Sequence, residues 1–195
     1  MNQLKPRQLD IMQNLATMLS KKGPVKITTS LLAKECGITE AAIYRHFPSK
    51  KKIYSGLVDF CEESLFSLIA NINKSQDEPL EKIKKILILL ISFSEKNPGL
   101  ARILTREAFS IDESSLDIRI KLLFSKIELQ IKQLLQEFEQ KTKNKLLLTT
   151  TSSAILLLAV SEGLIQRFVR SGFDDKPSSR APEQIQLIIN SLSSK

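Results

Sequence analysis

Residues 28–47, with the sequence TTSLLAKECGITEAAIYRHF, decide the fold of this chain. Their apolar residues are spaced for two short helices joined by a tight turn at Gly37, where glycine adopts a positive φ angle without strain. Threonines stand where the helices begin, since Thr28 or Thr29 can cap the first helix and Thr39 can cap the second. The segment therefore predicts a helix-turn-helix.

Small or apolar residues occupy the positions where these two helices would touch, namely Leu32, Ala33, Cys36, Ile38 and Ile43. The second helix of such a pair enters the DNA major groove, where Arg45 can reach both acceptors of a guanine. We therefore expect DNA contacts from the helix starts, the second helix and the residue after the next turn: Thr28, Thr29, Thr39, Glu40, Ala41, Tyr44, Arg45, His46 and Lys50.

Positive charge is concentrated at one end of the chain. The 195 residues carry a formal net charge of +8, and residues 1–52 hold ten lysines and arginines but three acids. A basic end on a nearly neutral remainder indicates a polyanion held at that end, and double-stranded DNA fits this requirement. From charge alone, a basic face that is merely solvated stays an open alternative.

Three consecutive lysines, Lys50 to Lys52, follow Ser49, which can cap a helix. Exposed lysines in a first helical turn oppose the helix dipole, at a cost of about 0.3–1 kcal/mol each. A DNA phosphate would reverse the sign of this interaction, because lysines and backbone N–H groups would converge on one anion. The alternative is a solvated lysine cluster that was never optimised.

Helical periodicity runs through almost the whole chain. We expect an all-α protein with a helix-turn-helix head at residues 1–52 and a helical dimerisation and partner-binding body at residues 53–195. The helix from residue 49 to about residue 74 carries apolar residues over half its circumference, more than a one-sided surface helix needs. This helix should pack on two sides and connect the head to the body.

The helix predicted from Lys145 to Phe173 is apolar on nearly every side. One side can serve the core of its own chain, whereas the other needs a partner. Together with the final helix it predicts a symmetric homodimer. The two heads would then read half-sites about one turn of DNA apart, roughly 34–36 Å, or a multiple of it.

Several function classes find little support in the sequence. His46 is the only histidine, so neither a Ser-His-Asp constellation nor a multi-histidine metal site can be built. Cys36 and Cys61 are expected as buried small hydrophobes. The first ten residues lack the apolar core of a secretory signal, and no stretch reaches the roughly 18 apolar residues of a membrane span. We expect a cytoplasmic protein that is not an enzyme and uses no cofactor or metal.

The segment ITTSLLAKECGITEAAIYRHFPSK at residues 27–50 resembles the head of the TetR family. Residues 95–109, EKNPGLARILTREAF, and 161–173, SEGLIQRFVRSGF, are similar to one subgroup, the nucleoid occlusion factors of gammaproteobacteria. This resemblance covers nearly the whole chain. It implies a TetR-like fold and a nucleoid-associated dimer on double-stranded DNA, with dimers able to assemble side by side. It also implies that the dimer antagonises the division protein FtsZ and blocks septum formation over the nucleoid.

The resemblance further implies a site for the C-terminal tail of FtsZ in a groove between the fourth and fifth helices. Carried onto this chain, the groove involves Phe60 and Leu89, with Lys96 and Asn97 at its rim. Leu68 stands where the subgroup is expected to carry a basic residue. Without the resemblance, Phe60 and Leu89 are equally consistent with ordinary core packing.

Two other functions remain as alternatives. A ligand-responsive TetR-type repressor would enclose an effector pocket, but the fifth helix supplies almost none of the polar groups that a pocket needs. A helical adaptor could instead place the basic head on acidic membrane surfaces. The buried pattern of the helix-turn-helix argues against that adaptor.

Overall fold

The computed structural model describes residues 5–23, 27–109 and 114–193. These residues form helices, apart from turns and one isolated bridge between Leu146 and Ser193, so the predicted all-α class is confirmed. The helices are α1 (Pro6–Leu19), α2 (Thr29–Glu35), α3 (Glu40–His46), α4 (Lys50–Lys74), α5 (Pro79–Lys96), α6 (Pro98–Leu104), α7 (Ser114–Thr142), α8 (Thr150–Arg170) and α9 (Ala181–Asn190).

The predicted helix-turn-helix forms as its caps and turn require. The Thr28 hydroxyl accepts a hydrogen bond from the Leu31 N–H at 3.1 Å, and the Thr39 hydroxyl accepts one from the Ala42 N–H at 3.2 Å. Gly37 between them has a φ angle of +64°, a conformation that most side chains disfavour. Local sequence therefore sets both ends of the turn.

Helix α8 begins at Thr150 and not at Lys145, which corrects the predicted start. The Thr149 hydroxyl caps the helix by accepting a hydrogen bond from the Ser152 N–H at 3.1 Å. The chain before this cap runs beside the end of α9, where the Leu147 N–H donates to the Leu192 carbonyl at 2.8 Å. A side-chain cap and a tertiary hydrogen bond thus override the apolar pattern of this segment.

Helix α5 lies at the centre of the body and packs against α4, α7, α8 and α9. Ile86, Leu87 and Leu90 of α5 are completely buried. Helix α7 packs on the core through one row of buried residues: Leu116, Ile120, Leu123, Ile127, Ile131, Leu134 and Phe138.

Helix α4 connects the head to the body, as predicted, because it packs against α1, α5, α6 and α7. Its buried face includes Ile53, Leu57 and Leu65. Two residues of the predicted apolar arc behave otherwise, since Phe60 is 48% exposed and Leu68 is also exposed. The buried part of α4 is therefore narrower than its apolar arc, and the rest of that arc lies on the surface.

Two contacts fix α1 against α6. A Cβ atom added at Gly99 would lie 2.0 Å from the backbone carbonyl oxygen of Ala16, so these helices touch where only glycine fits. The buried Arg102 guanidinium donates hydrogen bonds to the carbonyls of Leu19 and Gly23, both at 3.0 Å. The head is thereby held to the body at the end of α1.

Among the described residues, α8 is the one helix long and apolar enough to cross a membrane by length and composition, and 44% of its most apolar window is buried. The helix passes this test despite the threonines and serines in its first turn. It packs against α5, α6, α7 and α9. Its apolar composition is thus used at least in part by the core of the body.

Candidate DNA-binding face and peptide groove

The outward face of α3 brings four of the predicted contact residues together. Glu40, Ala41, Tyr44 and Arg45 are all exposed. They follow one another at intervals of one, three and one residue, which places them on adjacent parts of one helical face. This face can present hydrogen-bonding groups to base edges in a major groove.

Four further predicted contact residues differ in exposure: two are exposed helix caps, and two are buried or partly buried. Thr28 and Thr39 are exposed caps. Thr29 is 8% exposed, and its hydroxyl accepts a hydrogen bond from the Tyr44 hydroxyl at 3.4 Å. His46 is partly buried, and its carbonyl accepts a hydrogen bond from the Gln8 amide at 3.1 Å. In this arrangement Thr29 and His46 help to hold the α3 face.

The first turn of α4 adds positive charge next to that face. The Ser49 hydroxyl caps the turn by accepting a hydrogen bond from the Lys52 N–H at 3.3 Å. Lys51 and Lys52 are exposed, whereas the Lys50 ammonium lies 5.2 Å from the centre of the Tyr54 ring. Backbone N–H groups and ammonium groups therefore occur together at one helix start, as an anion site requires.

The residues assigned to the peptide groove lie at two places. Phe60 and Asn97 line a cavity of about 510 Å³. Leu89 is partly buried and lines a second cavity of about 350 Å³, together with Leu68 and Ile72. Lys96 is exposed beside Asn97.

Helices α4 and α5 run in opposite directions, because Phe60 meets the end of α5 and Ile72 meets its earlier turns. The first cavity lies between α1, α4 and the start of α6, just beyond the end of α5, and the second lies between α4 and α5. Phe60 and Leu68 are eight residues apart on α4, or about 12 Å along the helix axis. We call the surface from Phe60 and Asn97 to Leu68 and Leu89 the α4–α5 groove.

Sequence reasoning missed one wall of the cavity at Phe60. Residues of α1 line it, including Leu9, Gln13 and Thr17, which are spaced four residues apart and are exposed. The equal spacing places them in one row on the helix surface. Gln13 and Thr17 are polar, so no apolar pattern in the sequence could have identified them.

Electrostatic interactions order the other end of the groove. The Lys85 ammonium lies 2.6 Å from an Asp77 carboxylate oxygen, and the Ser75 hydroxyl also donates to Asp77. The hydrogen bond from Lys85, and to a smaller extent the one from Ser75, hold the pKa of Asp77 below its usual range. The carboxylate therefore stays ionised and ties the start of α5 to the loop that follows α4.

Cys61 is buried, as predicted, whereas Cys36 is only partly buried, which corrects the prediction for that residue. Burial raises the pKa of the Cys61 thiol to about 12, with a further contribution from the charge of Glu62. Burial and then the charge of Asp10 raise the pKa of Cys36. Both thiols therefore stay protonated at neutral pH, where a thiolate would be needed for nucleophilic chemistry.

A second apolar surface lies on α8 and α9. Leu187 is 71% exposed, and Ile155 and Leu156 are exposed as well. Residues of both helices, among them Gly163 and Leu187, border a shallow cavity of about 400 Å³. On α9, Ile185, Ile189 and Leu192 are buried within the chain itself, whereas Leu187 lies on the outward side.

The capped turn, the exposed face of α3 and the lysines of α4 define the class of the protein as a helix-turn-helix DNA-binding regulator. Within residues 5–23, 27–109 and 114–193, no group of three histidine, cysteine, aspartate or glutamate side chains is placed to hold a metal ion.

Two family models match the chain. Residues 11–57 match the model described as bacterial regulatory proteins of the tetR family, and residues 77–193 match the SlmA-like, tetracyclin repressor-like C-terminal domain. The nucleoid occlusion factor SlmA of Marinomonas sp. (strain MWYL1) is 39% identical over 191 residues, covering 98% of this chain and 97% of the relative. The nucleoid occlusion factor SlmA of Shewanella sediminis (strain HAW-EB3) is 43% identical over 178 residues, covering 91% of this chain and 90% of the relative.

The chain therefore belongs to the TetR family and, within it, to the SlmA group of nucleoid occlusion factors. The predicted TetR-like fold is also confirmed by solved structures. A TetR-family transcriptional regulator from Rhodococcus sp. matches with a TM-score of 0.78, at 15% identity, covering 96% of this chain and 99% of that one.

Proposed function

We propose that this chain is a cytoplasmic, nucleoid-associated DNA-binding dimer that antagonises FtsZ assembly and blocks division over the nucleoid. The observation that carries the proposal is that a DNA-binding face and an apolar groove share the helix α4. Membership of the SlmA group supports the same role. The functional boundary is placed at residues 52 and 53, where α4 leaves the head and enters the body.

The exposed residues of α3 read base edges in this proposal. Arg45 is suited to a guanine, because its fork of donors matches two acceptors. Tyr44 lies one residue away and is oriented through Thr29. Lys50, Lys51 and Lys52 contact phosphates and set the register of the head on the duplex.

The dimer forms through the outward faces of α8 and α9. Exposed Leu187, Ile155 and Leu156 together give an apolar patch that a stable monomer would not keep in water. A twofold axis brings the same patch of both protomers together, so each protomer covers the apolar patch of its partner. Dimers can then assemble side by side on one duplex.

The FtsZ tail lies along the α4–α5 groove. The exposed ring of Phe60 offers an apolar anchor at one end, and Leu89 and Leu68 offer apolar contacts at the other. Lys96 and Asn97 border the groove and can bind carboxylate or backbone groups of the tail. An extended segment of about four residues spans the distance between the ends.

The test uses a fluorescent FtsZ tail peptide and a duplex that the chain itself selects from a random pool. Saturable tail binding to the DNA-loaded dimer is expected. The Phe60→Ala and Leu89→Glu variants should lose tail binding and keep DNA binding, whereas Arg45→Ala should lose specific DNA binding. Leu129→Ala, an equally exposed apolar residue on α7, is the matched control and should bind both.

The nucleoid occlusion proposal fails if the DNA-loaded dimer shows no tail binding at high micromolar peptide. A ligand-responsive repressor would then take its place. That alternative would need an effector pocket inside the body. The side chains of Ile86, Leu87 and Leu90 of α5 are completely buried there and fill the space.

A further inference from the structure

We propose that helix α1 of the head forms a third wall of the peptide site, so that a bound peptide touches the DNA-binding head and the body at once. This inference rests on the proposed function, and it adds residues that neither the family resemblance nor the sequence pattern assigned. Its occupant is the same extended apolar peptide that lies in the α4–α5 groove.

Helix α1 and the α4–α5 groove border one common cavity. Phe60 and Asn97, two residues of the α4–α5 groove, border the same cavity as Leu9, Gln13 and Thr17 of α1. A peptide that packs on the exposed ring of Phe60 therefore comes against α1 on the other side. The cavity of about 510 Å³ falls within the roughly 300–1,000 Å³ of sites that bury most of a small ligand.

The residues that line this cavity combine apolar surface with a polar rim. Met12 and Leu57 are buried and form an apolar floor, while Leu9 and Phe60 are half-exposed and form apolar edges. Gln13 lines the same cavity, and a glutamine amide can both donate to and accept from a peptide backbone. This combination suits an apolar side chain inserted between α1 and α4, with the adjoining backbone bonded at the rim.

Helix α1 is held in a fixed position beside the cavity. The contact between Gly99 and the Ala16 carbonyl lies in the cavity wall itself. The hydrogen bonds from Arg102 to Leu19 and Gly23 hold the far end of α1. These contacts fix α1 relative to α6 and thereby set the width of the cavity.

The experiment uses the full-length dimer loaded with its selected duplex and the same FtsZ tail peptide. Gln13→Trp fills the cavity from the α1 side, and Gln13 is exposed, so the helix should tolerate the change. We expect tail affinity to fall at least tenfold while DNA affinity measured without the tail is unchanged. Lys121→Trp adds the same bulk on the exposed face of α7 and should bind the tail like the parent chain.

A second readout does not depend on a loss of binding. A tail peptide with a photoreactive apolar residue should crosslink to residues 9–20 as well as to α4. If crosslinks occur on α4 and α5 alone and Gln13→Trp binds the tail normally, the α1 wall is wrong while the proposed function stands. If the parent chain neither binds nor crosslinks, the proposed function itself fails.

Discussion

The guanidinium of Arg102 donates a hydrogen bond to the carbonyl of Leu19, 83 positions earlier in the chain, at 3.0 Å. Leu19 ends α1, so its carbonyl has no partner within its own helix. The same guanidinium bonds to Gly23 and stacks 4.8 Å from the Phe173 ring centre, and burial lowers its pKa. One arginine thus joins the head, α6 and the end of α8.

Arg102→Ala should lower the free energy of unfolding by about 2–4 kcal/mol, because two buried carbonyls lose a charged donor. Arg102→Lys should recover part of this loss, since an ammonium lacks the planar fork that serves both carbonyls. Urea unfolding at one fixed protein concentration measures the change. The control is Arg170→Ala, which removes an exposed arginine that lines a small cavity together with Arg102 and should change the free energy of unfolding by no more than about 0.5 kcal/mol. Equal losses for Arg102 and Arg170 would refute the role given to Arg102.

Gly99→Ala should destabilise the chain by about 1–3 kcal/mol, because the added carbon meets the Ala16 backbone and forces α1 and α6 apart. Gly56→Ala is the matched control, since its Cβ would meet the flexible side chain of Met12 and not backbone. Alanine in a helix also gains about 0.5–1 kcal/mol over glycine, which offsets that contact. Thermal unfolding of both variants measures the difference, and a milder effect at Gly99 than at Gly56 would contradict the argument.

The sequence determined the elements whose signals are local. Thr28 and Thr39 cap the predicted helices, and Gly37 makes the predicted turn. Patterns on one helix were less informative about contacts between helices. Phe60 lies on the apolar arc of α4, yet α1 leaves it at the edge of a cavity and not in the core. The polar Gln13 gave no signal, because its position depends on how α1 crosses α4.

Leu187→Glu should convert the dimer into a monomer, because it places a charge in the proposed interface of α8 and α9. Leu129→Glu is the control, since Leu129 is 53% exposed but lies on α7. Sedimentation at micromolar concentration reports the mass of both variants. A monomeric parent chain, or a Leu129→Glu variant that also dissociates, would remove the interface from α8 and α9.

Arg45→Ala should abolish preference for the selected duplex, since one bidentate contact to guanine discriminates by about 1–3 kcal/mol. Lys50→Ala should instead weaken binding to all sequences alike and reduce the salt slope by about one unit. Titrations of selected and scrambled duplexes over a salt series separate the two effects. Should Lys50→Ala alter sequence preference and leave the salt slope unchanged, its assignment to a phosphate would be wrong.

Binding of DNA and of the FtsZ tail should strengthen each other, because α4 starts with Lys50, the proposed phosphate contact, and carries Phe60 about three turns later. If DNA raises the affinity for the tail, thermodynamic linkage requires the tail to raise the affinity for DNA by the same factor, typically 5- to 150-fold. Tail titrations with and without duplex, and duplex titrations with and without tail, measure the factor twice. Gly99→Ala should reduce it, since this variant loosens α1 from α6 next to the groove. Equal tail affinities with and without DNA would show that the DNA site and the tail site are not coupled through α4.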